Sequence, residues 1–245
     1  MRRPVLLLAV CACGHRGFDA TAVDAPAADA SAADAAPVSP ALVAVDTIYA
    51  TTSSIAVPAT IAAGHLVVVV VDLFDSGFSV ASVGDGVAGD VYVSANARAI
   101  FSAGAMGTSA TEIWYTTTTQ PSAGSVNVTL TGAVQSFVWV AEFEGIVPTS
   151  PLDTVAHTDS GNASTAVAGA SVTTASADEL VVSIVSLDDS VTGIESGNPF
   201  IALPPQGGDD AAYVVAAQPG SYAPVWVLAN AAIYCSSTVA FRAAP

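Results

Sequence analysis

The run His65-Leu66-Val67-Val68-Val69-Val70-Val71-Asp72-Leu73-Phe74 constrains the fold more than any other stretch of the chain. A strand that is apolar at consecutive positions has no wet face, so this one must be covered on both sides. It is too short and too rich in β-branched residues for a helix, and Gly64 and Asp75-Ser76-Gly77 bound it. The run has an echo in Leu180-Val181-Val182-Ser183-Ile184-Val185-Ser186-Leu187.

From Ala41 onward, short β-type runs alternate with Gly, Pro, Ser and Asp, which is the rhythm of sandwiches and barrels. The first half predicts strands at Val43–Tyr49, Ser54–Val57, Leu66–Phe74, Val91–Ala95, Ile100–Ser102, Glu112–Thr117, Val126–Leu130 and Phe137–Phe143. Strict alternation in Val126-Asn127-Val128-Thr129-Leu130 points Val126, Val128 and Leu130 inward. No segment carries a sustained helical period with caps.

The second half repeats the first. With Leu66 set on Leu180, Asp75-Ser76 falls on Asp189-Ser190 without a gap, and Val57 falls near Val172. Farther on, the patterns around Trp114, Val128 and Val140–Phe143 match those at Tyr213–Val215, Val225–Val227 and Val239–Phe241. The joint is Pro148-Thr149-Ser150-Pro151-Leu152-Asp153. Two copies of this kind are a duplication and not a solenoid. Either half alone leaves a sheet face uncovered, so the halves are expected to pack into one core. The expectation is an all-β, antiparallel, two-sheet, jelly-roll-like sandwich built from two pseudo-symmetric halves (about 41–147 and 153–243). It forms a single domain over 41–245, behind a disordered tether.

The order of AAGHLVVVVV, EIWYTTTTQPSAGSVNVTLTG, FVWVAEFEGI, SPLDTVA and ADELVVSIVS resembles a jelly-roll module of bacterial and phage surface proteins. That resemblance spans roughly Ala41 to Ala243. It implies a jelly-roll fold in an extracellular setting, and it brings no catalytic residues with it.

The N-terminus gives an address. Met1-Arg2-Arg3 is a positive n-region and Pro4–Val10 a brief apolar stretch, the pattern of an export signal and too short to span a bilayer. Val10-Cys11-Ala12-Cys13 resembles a bacterial lipobox, with Val10 at −3 and Ala12 at −1. That implies a signal peptide ending in a lipidated Cys13 (residues 1–13), and attachment to the outer membrane or cell surface. Residues 14–40 are dominated by Ala, Asp, Ser and Pro, with almost nothing to bury. They are expected to remain a disordered tether kept extended by like charge. With Cys11 cleaved off and Cys13 lipidated, Cys235 is the one thiol left, expected to be buried in its apolar run.

Charge excludes several functions. The chain has 21 acids, five cationic side chains (all arginine) and a net charge of −16. Nucleic acid, itself a polyanion, is therefore not an expected partner. Without lysine there is no P-loop, Schiff-base or Ser-Lys chemistry.

The motifs that might carry chemistry are few. Gly84-Asp85-Gly86-Val87-Ala88-Gly89 spells G-x-G-x-x-G, but β-type residues follow it where the dinucleotide fold needs a helix, so it reads as a turn. There is neither H-E-x-x-H nor G-x-S-x-G, and outside the tether the histidines are His65 and His157. Glu142 and Glu144 share a strand face, a spacing that could suit acid–base work on a glycoside. The acids after the central strands (Asp72 and Asp75, Asp188 and Asp189) are a candidate metal or ligand rim. Calcium would need about six to eight oxygens there. Asx-turns account for Asp75-Ser76 and Asp189-Ser190 without a metal, and no other cofactor is expected. Trp114, Trp139 and Trp226 sit in apolar strands, leaving Phe78, Tyr92, Phe200 and Tyr222 as loop aromatics that could stack on a sugar.

These features predict a lipid-anchored envelope protein whose sandwich serves binding, adhesion or structure without catalysis. Its expected partners are the membrane, through the lipid, and a glycan or surface protein. The alternative is a carbohydrate-binding or glycan-processing protein of the same fold.

Overall fold

The computed structural model describes residues 38–102, 107–204 and 208–245. The export signal, Cys13 and the tether up to residue 37 lie outside the described residues.

The first half contributes β1 (Ala41–Ala50), β2 (Ser54–Ile61), β3 (Leu66–Leu73), β4 (Val80–Gly84), β5 (Val93–Ser94), β6 (Ala99–Ser102), β7 (Thr108–Thr117), β8 (Ser122–Leu130) and β9 (Ser136–Glu144). The second contributes β10 (Leu152–Ala168), β11 (Val172–Thr174), β12 (Glu179–Leu187), β13 (Val191–Ile194), β14 (Ile201–Ala202), β15 (Asp210–Ala216), β16 (Gly220–Tyr222) and β17 (Val225–Phe241). All described elements are strands, and their pairings are antiparallel.

The duplication is explicit in the strand order. One large sheet runs β1-β9-β3-β7-β5 and the other β10-β17-β12-β15-β14, so each strand has a counterpart at the same place. Register repeats too: Val70 lies opposite Ile113 on β7, and Ile184 opposite Ala211 on β15. Each half also has a small second sheet, β2-β8-β4 in the first and β11-β16 in the second.

The two sheets expected from the sequence are the two large ones, and each carries an outer sheet as well. Strand composition explains the extra layers. Every residue of β3 is 0% exposed, so both of its faces need a cover. Leu66, Val68 and Val70 point toward the other half, where they meet Leu180, Val182, Ile184, Val239 and Phe241. Val67, Val69, Val71 and Leu73 point the opposite way, onto Ile55, Val57, Val126 and Val128 of the outer sheet. β12 divides in the same manner, with Val181, Val185 and Leu187 packed against Val172, Trp226 and Leu228.

The halves meet about a pseudo-twofold relation that can be read from paired contacts. Tyr115 packs edge-on against Phe241 with ring centres 5.2 Å apart, and Tyr213 packs in the same way against Phe143 at 5.5 Å. Tyr115 and Tyr213 hold equivalent places on β7 and β15, as Phe143 and Phe241 do on β9 and β17. The interface therefore uses one aromatic contact twice. Polar ties supplement it: Trp139 Nε1 donates to Pro204 O at 2.8 Å, and Thr111 Oγ1 lies 2.6 Å from Ser237 Oγ.

Candidate functional site

At one end of this seam the central strands open into a cleft of about 320 Å³. Phe74, Thr108 and Ser109 line it from the first half, and Asp188, Asp189 and Asp209 from the second. The apolar ladder gives way to polar residues here. Asp72, the one charged residue in the β3 run, follows Leu66, Val68 and Val70 on the face toward the other half and is fully buried. Ser186 holds the equivalent place on β12 and is also buried.

These groups form one network. Ser109 Oγ is 2.7 Å from Leu73 O, 3.2 Å from Asp72 Oδ1 and 2.7 Å from Ser186 Oγ across the seam. Asp209 Oδ1 accepts the Leu187 amide at 2.8 Å, next along β12 from Ser186, so its buried carboxyl joins the same end of the seam as Asp72. Asp72 Oδ2 is buried and has no hydrogen-bond partner among the described residues. Burial drives the affinity of both acids for protons upward. For Asp72 the hydrogen bonds from Asp209, Ser186 and Ser109 moderate the rise, while for Asp209 the charge of Asp72 adds to it.

Of the acids singled out in the sequence, Asp72, Asp188 and Asp189 come together around this end of the seam, whereas Asp75 serves a local turn. Asp75 Oδ1 accepts the Gly77 amide at 2.8 Å, the Asx-turn expected from its sequence. Asp188 and Asp189 instead hold the middle of β17. Asp188 Oδ1 accepts the Ile233 amide at 3.0 Å and Asp189 Oδ2 the Asn230 amide at 2.7 Å. Among the described residues, no group of three or more His, Cys, Asp or Glu side chains is arranged to hold a metal ion.

Glu142 and Glu144 have different surroundings. Glu142 is buried and accepts from the Ala62 amide at 2.7 Å and from His65 Nδ1 at 2.8 Å, closing the loop between β2 and β3. Glu144, two residues on, is exposed. Gly84–Gly89 is a turn whose Asp85 Oδ1 accepts the Val87 amide at 2.9 Å. Cys235 is a buried free thiol, and burial raises its pKa well above the usual range.

The sequence reading did not single out Ser109, Ser186, Glu112 or Arg98, and did not place Asp209 at the same end of the seam as Asp72. Glu112 is buried on the outer face of β7. It accepts from Arg98 Nε at 3.1 Å and Trp114 Nε1 at 3.2 Å, while the Arg98 fork also reaches Ser76 O and Phe78 O. Its counterpart on β15 is Asp210, which lies opposite Val185 as Glu112 lies opposite Val71. Asp210 has an unpartnered buried oxygen, and burial lifts its pKa to about 7. The signal available in the sequence was the acid itself, standing inside an apolar strand pattern.

The loop aromatics do not form a platform. Tyr92 and Phe200 are buried, while Phe78 and Tyr222 pack against the outer cores. No family model, curated protein or solved structure matches the chain.

Proposed function

We propose that this chain is a lipid-anchored envelope protein, attached through Cys13, whose duplicated β body acts as a non-catalytic binding, adhesive or structural module at the cell surface. The observation that supports this best is the role of the body's acids. Glu142 fixes a loop through His65, Glu112 seats Arg98, Asp188 and Asp189 hold β17, and Asp72 bonds the Ser109 hydroxyl that meets Ser186 across the seam. Side chains held in this way build a rigid body, and rigid bodies behind extended tethers present a surface at a distance from a membrane. The lipobox-like Val10-Cys11-Ala12-Cys13 and the acidic Ala/Asp/Pro/Ser stretch after it supply the anchor and reach in this reading.

Metabolic labelling with palmitate tests it, comparing the full chain with Cys13→Ala. Label on the wild type that is lost in the variant is expected, and an unlabelled wild type would remove the anchor. Glycan-array screening of the same chain examines the alternative. Strong, sugar-specific binding would move the function to carbohydrate recognition, whereas the packed positions of Tyr92 and Phe200 favour none.

A further inference from the structure

We propose that Asp72 and Asp209 act as a proton-dependent latch between the two halves: one shared proton holds the seam closed beside the cleft, and its loss as pH rises loosens it. Four observations carry this, independently of any membrane anchor. The acids come from different halves, Asp72 from β3 and Asp209 from the entry to β15, and the contacts Asp72–Ser109, Ser109–Ser186 and Leu187 N–Asp209 bring their carboxyls to the same end of the seam. Both are buried. Asp72 Oδ2 has no hydrogen-bond partner among the described residues. No cation among the described residues is paired with them either: Arg98 is on Glu112, Arg242 on Asp153 and His65 on Glu142, while His157 is exposed on β10. Two buried carboxylates in contact without a cation cannot both stay ionised, so one keeps its proton and donates it to the other.

The surrounding elements do not offer a substitute. β7 presents the hydroxyls of Ser109 and Thr111, and β12 that of Ser186. β17 contributes the Cys235 thiol, whose ionisation Asp72, Asp209 and Asp159 oppose. Asp159 on β10 bonds the Ile100 amide, while Asp188 and Asp189 accept amides of the β17 segment. Glu112 and Asp210 stand on the outer faces of their sheets, turned from the seam. On release, hydroxide takes the shared proton as water, the carboxyl O–H bond breaks, and two carboxylates are left facing each other at the mouth of the cleft. Ser109 and Ser186 hydroxyls then remain as the donors on that side.

Carboxyl carbon NMR on the whole folded chain, titrated from about pH 5 to about pH 10, provides a first test needing no variant. An aspartate carboxyl that stays protonated well above the ordinary carboxylate range and titrates together with a second is expected. Titration of every aspartate as an independent group, with none coupled to a second, would overturn the latch. Urea unfolding over the same range, with Asp209→Asn and Asp72→Asn, gives the second. One proton shared only in the folded state makes the folding constant fall about tenfold per pH unit over the range where the folded chain keeps it and the unfolded chain has lost it. The Asn variants keep a polar side chain without that proton and should have a shallower slope by this amount. Slopes parallel to wild type in both variants would likewise overturn the latch.

Discussion

Tyr115 meets Phe241 edge-on across the interface between the halves, with ring centres 5.2 Å apart, and the duplication repeats the contact as Tyr213 on Phe143. An edge-to-face pair contributes about 0.5–1.5 kcal/mol beyond its buried area. A double-mutant cycle with Tyr115→Leu and Phe241→Leu should show a coupling of that order in urea unfolding. Because the second contact is separate, the cycle on Tyr213 and Phe143 should add to the first and not overlap it. A coupling near zero in both cycles would mean the rings share space without mutual stabilisation.

Val69 faces the outer core of the first half and is 0% exposed. Val69→Asp places a charge there with no cation beside it, at a cost of several kcal/mol. The variant should fail to give a cooperatively folded soluble chain. Recovery of a protein that melts in one sharp transition would show that β3 is not internal.

Arg98 is the partner of the buried Glu112 and also supports the backbone carbonyls of Ser76 and Phe78. Arg98→Ala leaves the carboxylate buried without its cation and should destabilise the chain by about 3–5 kcal/mol. Adding Glu112→Gln to that variant should recover part of the loss, because the uncompensated charge is then gone. Equal stability of the single and double variants would assign the effect to the carbonyl contacts alone.

Asp210 lacks such a partner and has its pKa raised by burial to about 7. A folded-state value above the unfolded one means that the native chain binds the proton more tightly. This contribution to stability is complete below the ordinary carboxylate range and is lost as pH rises through about 7. Asp210→Asn should therefore gain on the wild type as pH climbs from about 4 to about 8, with a difference on the order of a few kcal/mol. A variant whose difference from wild type is independent of pH would contradict the assignment.

Much of the fold was legible because the signals were local. Consecutive valines at 67–71 require two covers, and Val126, Val128 and Leu130 alternate inward as their spacing demands, at 0–3% exposed. The Leu66 and Leu180 strands identified the duplication. The outer layers were harder to read. β4 (Val80–Gly84) contains serine and glycine among few apolar residues, and nothing in its pattern shows that it lies beside β8. The site was readable only in part. Asp72, an acid inside an apolar run, marked the place, but Asp209 reaches it only because the two large sheets stack. The His65–Glu142 contact, 77 residues apart in sequence, is likewise set by loop closure and not by spacing.

The central structural claim is that the halves share one interior, from Leu66 and Val68 on one side to Val182 and Phe241 on the other, and so form one folding unit. Tryptophan fluorescence during urea unfolding tests this most directly. Trp114 reports on the first half and Trp226 on the second, each read in a chain whose other two tryptophans are replaced by Phe. Coincident transitions with the same midpoint and slope are the predicted result. Two separated transitions, one for each half, would contradict it.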